Sequence, residues 1–212
     1  MKSFMVVAAV LAMSACETVG EAGTCPLPEV AAAQFLGLSV AQFDHDSQAG
    51  WRAVADQQGC EARAAKMIGT YIATHGDTIP SAHRANLLWH QGQMWAAAGH
   101  TNKAIESFLA TKPEGDEAQN LYADATIAFL RRDQQAFDHA RAALAALPKP
   151  KNWDKAVADF EARFKRPGPV WPMNLDVVDR LGACFDSAYR QAYAGTCEAE
   201  ASPSTSATAH RP

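Results

Sequence analysis

No apolar run in this chain is long enough to cross a bilayer as a helix, which takes about 20 residues; the most apolar stretch, Phe4 to Met13, stops well short. No Cys-x-x-Cys occurs, so a redox pair or a cysteine zinc site has little support. There is no Gly-rich phosphate loop and no Gly-x-Ser-x-Gly elbow, which removes the usual sequence contexts for nucleotide binding and for an activated serine. No stretch alternates apolar and polar with period two, and strands therefore have no signature. The chain also lacks an excess of basic charge. Its formal balance of −4 argues against a nucleic-acid footprint.

What is present begins at the amino end. The segment "MKSFMVVAAVLAMSAC" has one cation at Lys2, an apolar run, two small residues in Ser14 and Ala15, and then Cys16. This is the layout of an export signal. The stretch Met13–Cys16 resembles a bacterial lipobox, with Met13 where Leu is usual, and the resemblance implies diacylglycerol on Cys16 and a leader of residues 1–15. Cleavage after Ala22 by an ordinary signal peptidase is the alternative reading, since Gly20 and Ala22 are both small. Removing residues 1–15 takes away one positive charge and leaves −5.

Residues 16–24 are small and polar beyond the cysteine and read as a tether. Residues 198–212 contain no large apolar side chain and are expected to stay disordered, which leaves 25–197 as one folded domain. Four further cysteines, Cys25, Cys60, Cys184 and Cys197, suggest two disulfides in an exported chain. Their order favours Cys25 with Cys60 and Cys184 with Cys197, although four cysteines allow three connectivities.

Between those ends the fold class reads as all-α. Apolar residues recur at three and four, and breakers at Gly59, Gly76 with Pro80, Gly99, Pro113 with Gly115, residues 148–151 and residues 166–172 mark the joints. Helices are expected near 28–37, 47–57, 60–74, 81–98, 101–111, 116–131, 133–146, 152–164, 173–183 and 185–194. Thr101, Asp133 and Asn152 each stand where a helix should start, with a side-chain oxygen able to accept from first-turn amides. Joints this short predict antiparallel neighbours.

Leu88, Gly92 and Trp95 share one face of the helix at 81–98, and the next helix answers with Ala104, Ile105 and Phe108. With Gly99 at the turn and Pro113 closing, the segment resembles a tetratricopeptide repeat (TPR). Ala136, Ala143, Leu144 and Pro148 resemble a second copy, Ala136 lying 32 residues after Ala104. Trp153, Ala156 and Phe160 resemble another second helix that has no first helix before it. The resemblance spans residues 84–164 and implies a TPR-like array of helical hairpins that binds peptides or proteins along its first helices. In that register the partner-binding groove carries Asn86, Trp89 and Gln93, with His90 beside them and His83 a turn earlier. The other reading of Trp89 is a core residue packed on the hairpin at 60–74.

The remaining polar residues make no metal or catalytic pattern. His83 and His90 are roughly 10 Å apart along a helix by its 1.5 Å rise and cannot share one ion; no histidines stand at i and i+4. The "DHDSQAG" at 44–50 starts like a calcium loop, yet lacks the later acids and reads better as a helix start capped by Asp46 or Ser47. Trp51, Trp153 and Trp171 read as packing anchors. No catalytic residue, metal ligand or cofactor site is assigned, and an enzyme is not expected. The expected function is a lipid-anchored protein of the bacterial envelope, facing the periplasm at the outer membrane, that binds another protein or peptide as a scaffold or assembly factor. An immunity or inhibitor lipoprotein is the alternative, and an envelope hydrolase a third.

Overall fold

The computed structural model describes residues 25–28 and 31–197. The leader, Cys16, the tether at 16–24 and the tail at 198–212 lie outside the described residues. The fold is all-α, as expected. Its helices are α1 (Ala32–Leu36), α2 (Val40–His45), α3 (Gly50–Ala55), α4 (Glu61–His75), α5 (Ser81–Ala97), α6 (Thr101–Thr111), α7 (Glu117–Arg131), α8 (Gln134–Ala145), α9 (Trp153–Phe164), α10 (Leu175–Ala183) and α11 (Tyr189–Ala194). From α4 to α8 each helix packs against the next in the chain.

The ends follow local chemistry. Asp116 and Asp133 cap α7 and α8 by accepting from Gln119 N and Ala136 N, which satisfies first-turn amides that have no helical partner. Thr101 is the first residue of α6 rather than its cap, and Asn152 precedes α9 without a capping bond. The expected helix at 47–57 is the shorter α3, and α2 falls between the expected segments 28–37 and 47–57, where no helix is expected. Ser39 and Gln42 form a reciprocal capping box that starts α2. Asp46 follows α2 and accepts from Gln48 N, so the acid closes a turn between the helices and neither it nor Ser47 caps α3. That turn needs Gly50: its φ of 57° is left-handed, and a Cβ there would run into the Phe43 carbonyl.

Two apolar clusters fill the interior. The first joins α1–α4 to the start of α5 through Phe35, Phe43, Trp51, Ile68, Tyr71 and Leu87. Phe43 and Tyr71 stack with centroids 4.0 Å apart, and the Tyr71 hydroxyl donates to Leu38 O at 2.8 Å. The second gathers α5–α8 with α10 and α11 around Trp95, Phe108, Phe129, Phe137, Leu144 and Leu181. Phe185 closes it edge-on, 5.6 Å from Phe129 and 5.2 Å from Phe137. α5 serves both clusters, because Leu87 points into one and Trp89, Trp95 and Ala96 into the other.

The four cysteines form two bridges, Cys25–Cys60 and Cys184–Cys197. The first ties the amino end to the start of α4, where Arg63 also donates to the carbonyls of Leu27 and Pro28. The second closes the carboxyl end around α11. Of the three connectivities the sequence allows, the structure has the one that joins neighbours along the chain.

Candidate functional site

Of the residues read as a groove, the structure buries one. Asn86 is exposed and Gln93 half-buried, but Trp89 is 9 % exposed and lies between Phe108 and Tyr122, with ring centroids 4.6 and 4.5 Å away. Trp89 is therefore a core residue. The physical reason is that α5 is covered on both sides: the α6 ring of Phe108 fills the space that a Cβ at Gly92 would take, 2.6 Å from its Cε1, and Tyr122 of α7 covers the next face. The rings against Trp89 come from α6 and α7, and Ala65 of α4, in the segment 60–74, belongs to the same buried cluster. Leu88, expected in the α5–α6 seam, is half-buried, whereas its neighbour Leu87 is fully buried in the first cluster.

His90 takes part in a different constellation. Its Nδ1 lies 2.7 Å from Asp44 Oδ1, and the same oxygen accepts from Trp51 Nε1 at 2.9 Å. Arg52 adds its guanidinium 3.8 Å from Oδ1 and donates through Nε to the Asp44 carbonyl. The Asp44 side chain is 2 % exposed. Burial by itself raises the pKa of such a carboxyl, but the His90 and Trp51 hydrogen bonds with the His90 and Arg52 charges outweigh it and hold Asp44 below its ordinary value. A carboxylate on Nδ1 fixes the imidazole's orientation and tautomer. Asp44 belongs to α2, Trp51 and Arg52 to α3 and His90 to α5, so the same contacts fasten the amino-terminal helices to the body. Sequence reasoning passed over Asp44 because the flanking acids of "DHDSQAG" look equivalent in one dimension. The available signal was Trp51, an indole seven residues on that needs an acceptor when buried.

A second surface is carried by α9 and the segment after it. Trp153, Val157, Phe160 and Phe164 recur at i, i+4, i+7 and i+11 along α9, yet none of the residues of α9 is fully buried and no other helix packs extensively against it. It is held instead by the strap that follows, residues 165–174. Trp171 meets Trp153 edge-on at 4.9 Å and donates through Nε1 to Leu147 O at 3.0 Å. Gly168 N donates to Glu161 Oε1 at 2.9 Å, and its Cα faces Val157 so closely that a Cβ would stand 2.7 Å from a Val157 methyl. Outside these contacts apolar surface remains. Val170 is 82 %, Phe164 50 % and Met173 40 % exposed.

Val170 and Met173 border a cavity of about 600 Å³ between the strap and the start of α10, lined also by Trp171 and Leu175 and edged by Asp176 and Asp179. Those acids are paired, Asp176 with Arg180 at 2.8 Å and Asp179 with Arg141 at 2.7 Å. An apolar hollow with fixed polar groups at its edge suits an apolar side chain of a binding partner. The sequence signal for this surface was the third repeat-like fragment, which had a second helix but no first helix to cover it.

Among the described residues no three His, Cys, Asp or Glu side chains gather as a metal site, and no helix is long and apolar enough to cross a membrane. Compared with protein-family models, with curated proteins and with solved structures, the chain matches none.

Proposed function

We propose that this is a lipid-anchored protein of the bacterial envelope, acylated at Cys16 and facing the periplasm at the outer membrane, that acts by binding another protein or peptide as a scaffold or assembly factor. The observation that carries the binding role is the cavity of about 600 Å³ beside the strap, with Val170 and Met173 exposed at its mouth. Apolar side chains left in water at the edge of a hollow are what a partner's anchor residue covers. The docking surface is thus moved from α5, whose Trp89 is buried, to the strap and α10. The α5–α6 pair, with Gly92 against Phe108 and Ala104 fully buried, supports a TPR-like hairpin in which this pair is structural.

The test is a photo-crosslinking amino acid placed at Met173 and, separately, at the exposed Asn86, in cells that export the full chain. The expected result is a discrete protein adduct from position 173 and none from 86. An adduct from 86 alone would return the site to α5, and no protein adduct from either position overturns the binding role.

A further inference from the structure

Residues 149–166 carry six Lys and Arg against three Asp and Glu, a local charge of +3, while the rest of the chain has thirteen against twenty, or −7. The three acids of the segment are engaged. Asp154 pairs with Lys149 at 2.8 Å, Asp159 with Lys155 at 2.6 Å, and Glu161 accepts from the strap at Gly168. Of the four cations outside those pairs, Lys151 stands near the start of the segment and the other three collect at the carboxyl end of α9, in "RFKR" at 163–166. None of Arg163, Lys165 and Arg166 makes an ion pair among the described residues. All three are exposed, around a Phe164 that is itself half in water. Lys165, at φ 52°, turns the chain back into the strap, so the four residues form a tip.

The cations share the ring surface. The Arg163 guanidinium lies 5.2 Å from the Phe164 centroid, and that of Arg166 lies 5.1 Å from Phe160 and 5.9 Å from Phe164. An aromatic ring and cationic heads presented together match the boundary between phosphate headgroups and acyl chains, where the ring leaves water and the long side chains keep their charge at phosphate level. Trp153 and Trp171 stand half-buried at the base of the same arm, a residue type suited to that boundary. We infer that the tip of α9 is a contact site for anionic phospholipid, through Phe164 with Arg163, Lys165 and Arg166.

The geometry favours a bilayer over an acidic peptide. Phe164, the last residue of α9, is half in water and rests its ring on Phe160 of the same helix at 4.7 Å, while the neighbouring hollow, which has walls to seat a peptide, is edged by Asp176 and Asp179, of the same sign as an acidic ligand. A soft anionic surface needs no such walls. The contact is independent of acylation at Cys16 and of what fills the cavity. It adds an orienting attachment at α9 and gives an anchored protein a defined face toward the membrane.

The experiment is sedimentation of the purified full chain, carrying Cys16→Ser so that no acyl group contributes, with vesicles of phosphatidylcholine alone or with added phosphatidylglycerol. All variants share the same amino end, so differences between them report on α9. The expected result is stronger binding to the anionic vesicles, weakening with salt. Arg163→Gln, Lys165→Gln and Arg166→Gln together should lower that binding about a hundredfold, from the roughly tenfold-or-less contribution of each cation near an anionic surface. Phe164→Ser should lower it about tenfold at constant charge. These positions are exposed, so the variants should melt with the parent, which a thermal scan checks. Equal binding of parent and triple variant to anionic vesicles overturns the inference, as does capture by a glutamate-rich peptide with no vesicle binding.

Discussion

Asp44 shows how one buried side chain can decide the attachment of a whole segment. Its carboxylate accepts from Trp51 and His90 and faces Arg52, and all three come from elements that must meet for the first cluster to close. Replacing it with Asn keeps the shape but removes the charge that His90 and Arg52 face. Asp44→Asn should cost about 2–3 kcal/mol in chemical denaturation at neutral pH, the range for breaking buried charge-assisted bonds. The pH dependence has a definite sign. Because the folded pKa lies below the unfolded one, the contribution is complete above the unfolded value, about 3.9 for Asp, and is lost as pH falls through the folded value. The gap between parent and Asp44→Asn should therefore narrow only below about pH 4. A gap that stayed constant down to pH 2 would mean that the carboxylate's charge does not contribute.

Helix α5 carries heavy packing demands, since it serves both clusters. Gly92 is where this is most acute, with Phe108 Cε1 and Cδ1 at 2.6 and 2.7 Å from the position of a Cβ and the Phe108 ring fully buried. Alanine is worth roughly 1 kcal/mol more than glycine inside a helix, yet Gly92→Ala should destabilise by about 1–3 kcal/mol, because a buried ring cannot move aside without overpacking its neighbours. A melting temperature that rises in Gly92→Ala would show that α6 can shift. The element scale is also where the sequence was most legible. The joints at Gly76, Gly99, Pro113 and residues 148–151 fall between the observed helices, and α4 to α9 lie within a residue of their expected bounds, because 3.6-residue periodicity and chain breakers are local properties. Short helices were less legible: α2 falls between two expected segments and α3 is shorter than its own, since a capping box at Ser39 and a turn at Gly50 set their starts locally. The surface of α5 was misread for a different reason. Whether Trp89 faces solvent or Tyr122 depends on where α7 lies, and no property of residues 81–98 records that. The α9 surface was visible only as a repeat fragment lacking its partner.

At the scale of the whole molecule, charge and attachment are distributed unevenly. The segment 149–166 is basic on a body that is otherwise acidic, and its exposed ring and cations lie far along the chain from the cysteine proposed to carry lipid. Cys16→Ser should abolish incorporation of labelled fatty acid and shift the exported chain from the membrane to the soluble fraction or leave it as precursor; an unlabelled parent with a mature end at Gly23 would remove the lipid anchor from the proposal. The two bridges have a further consequence. Cys25 is joined to the next cysteine along the chain, Cys60, and Cys184 to the last, Cys197. For a chain that leaves a translocation channel amino end first, the early thiols emerge together while more than a hundred residues, and both late thiols, are still to come, as the span from Cys60 to Cys184 shows. An oxidant that joins each new thiol to the one still waiting arrives at the native pairing by order of arrival alone, with no wrong bridge to be reshuffled.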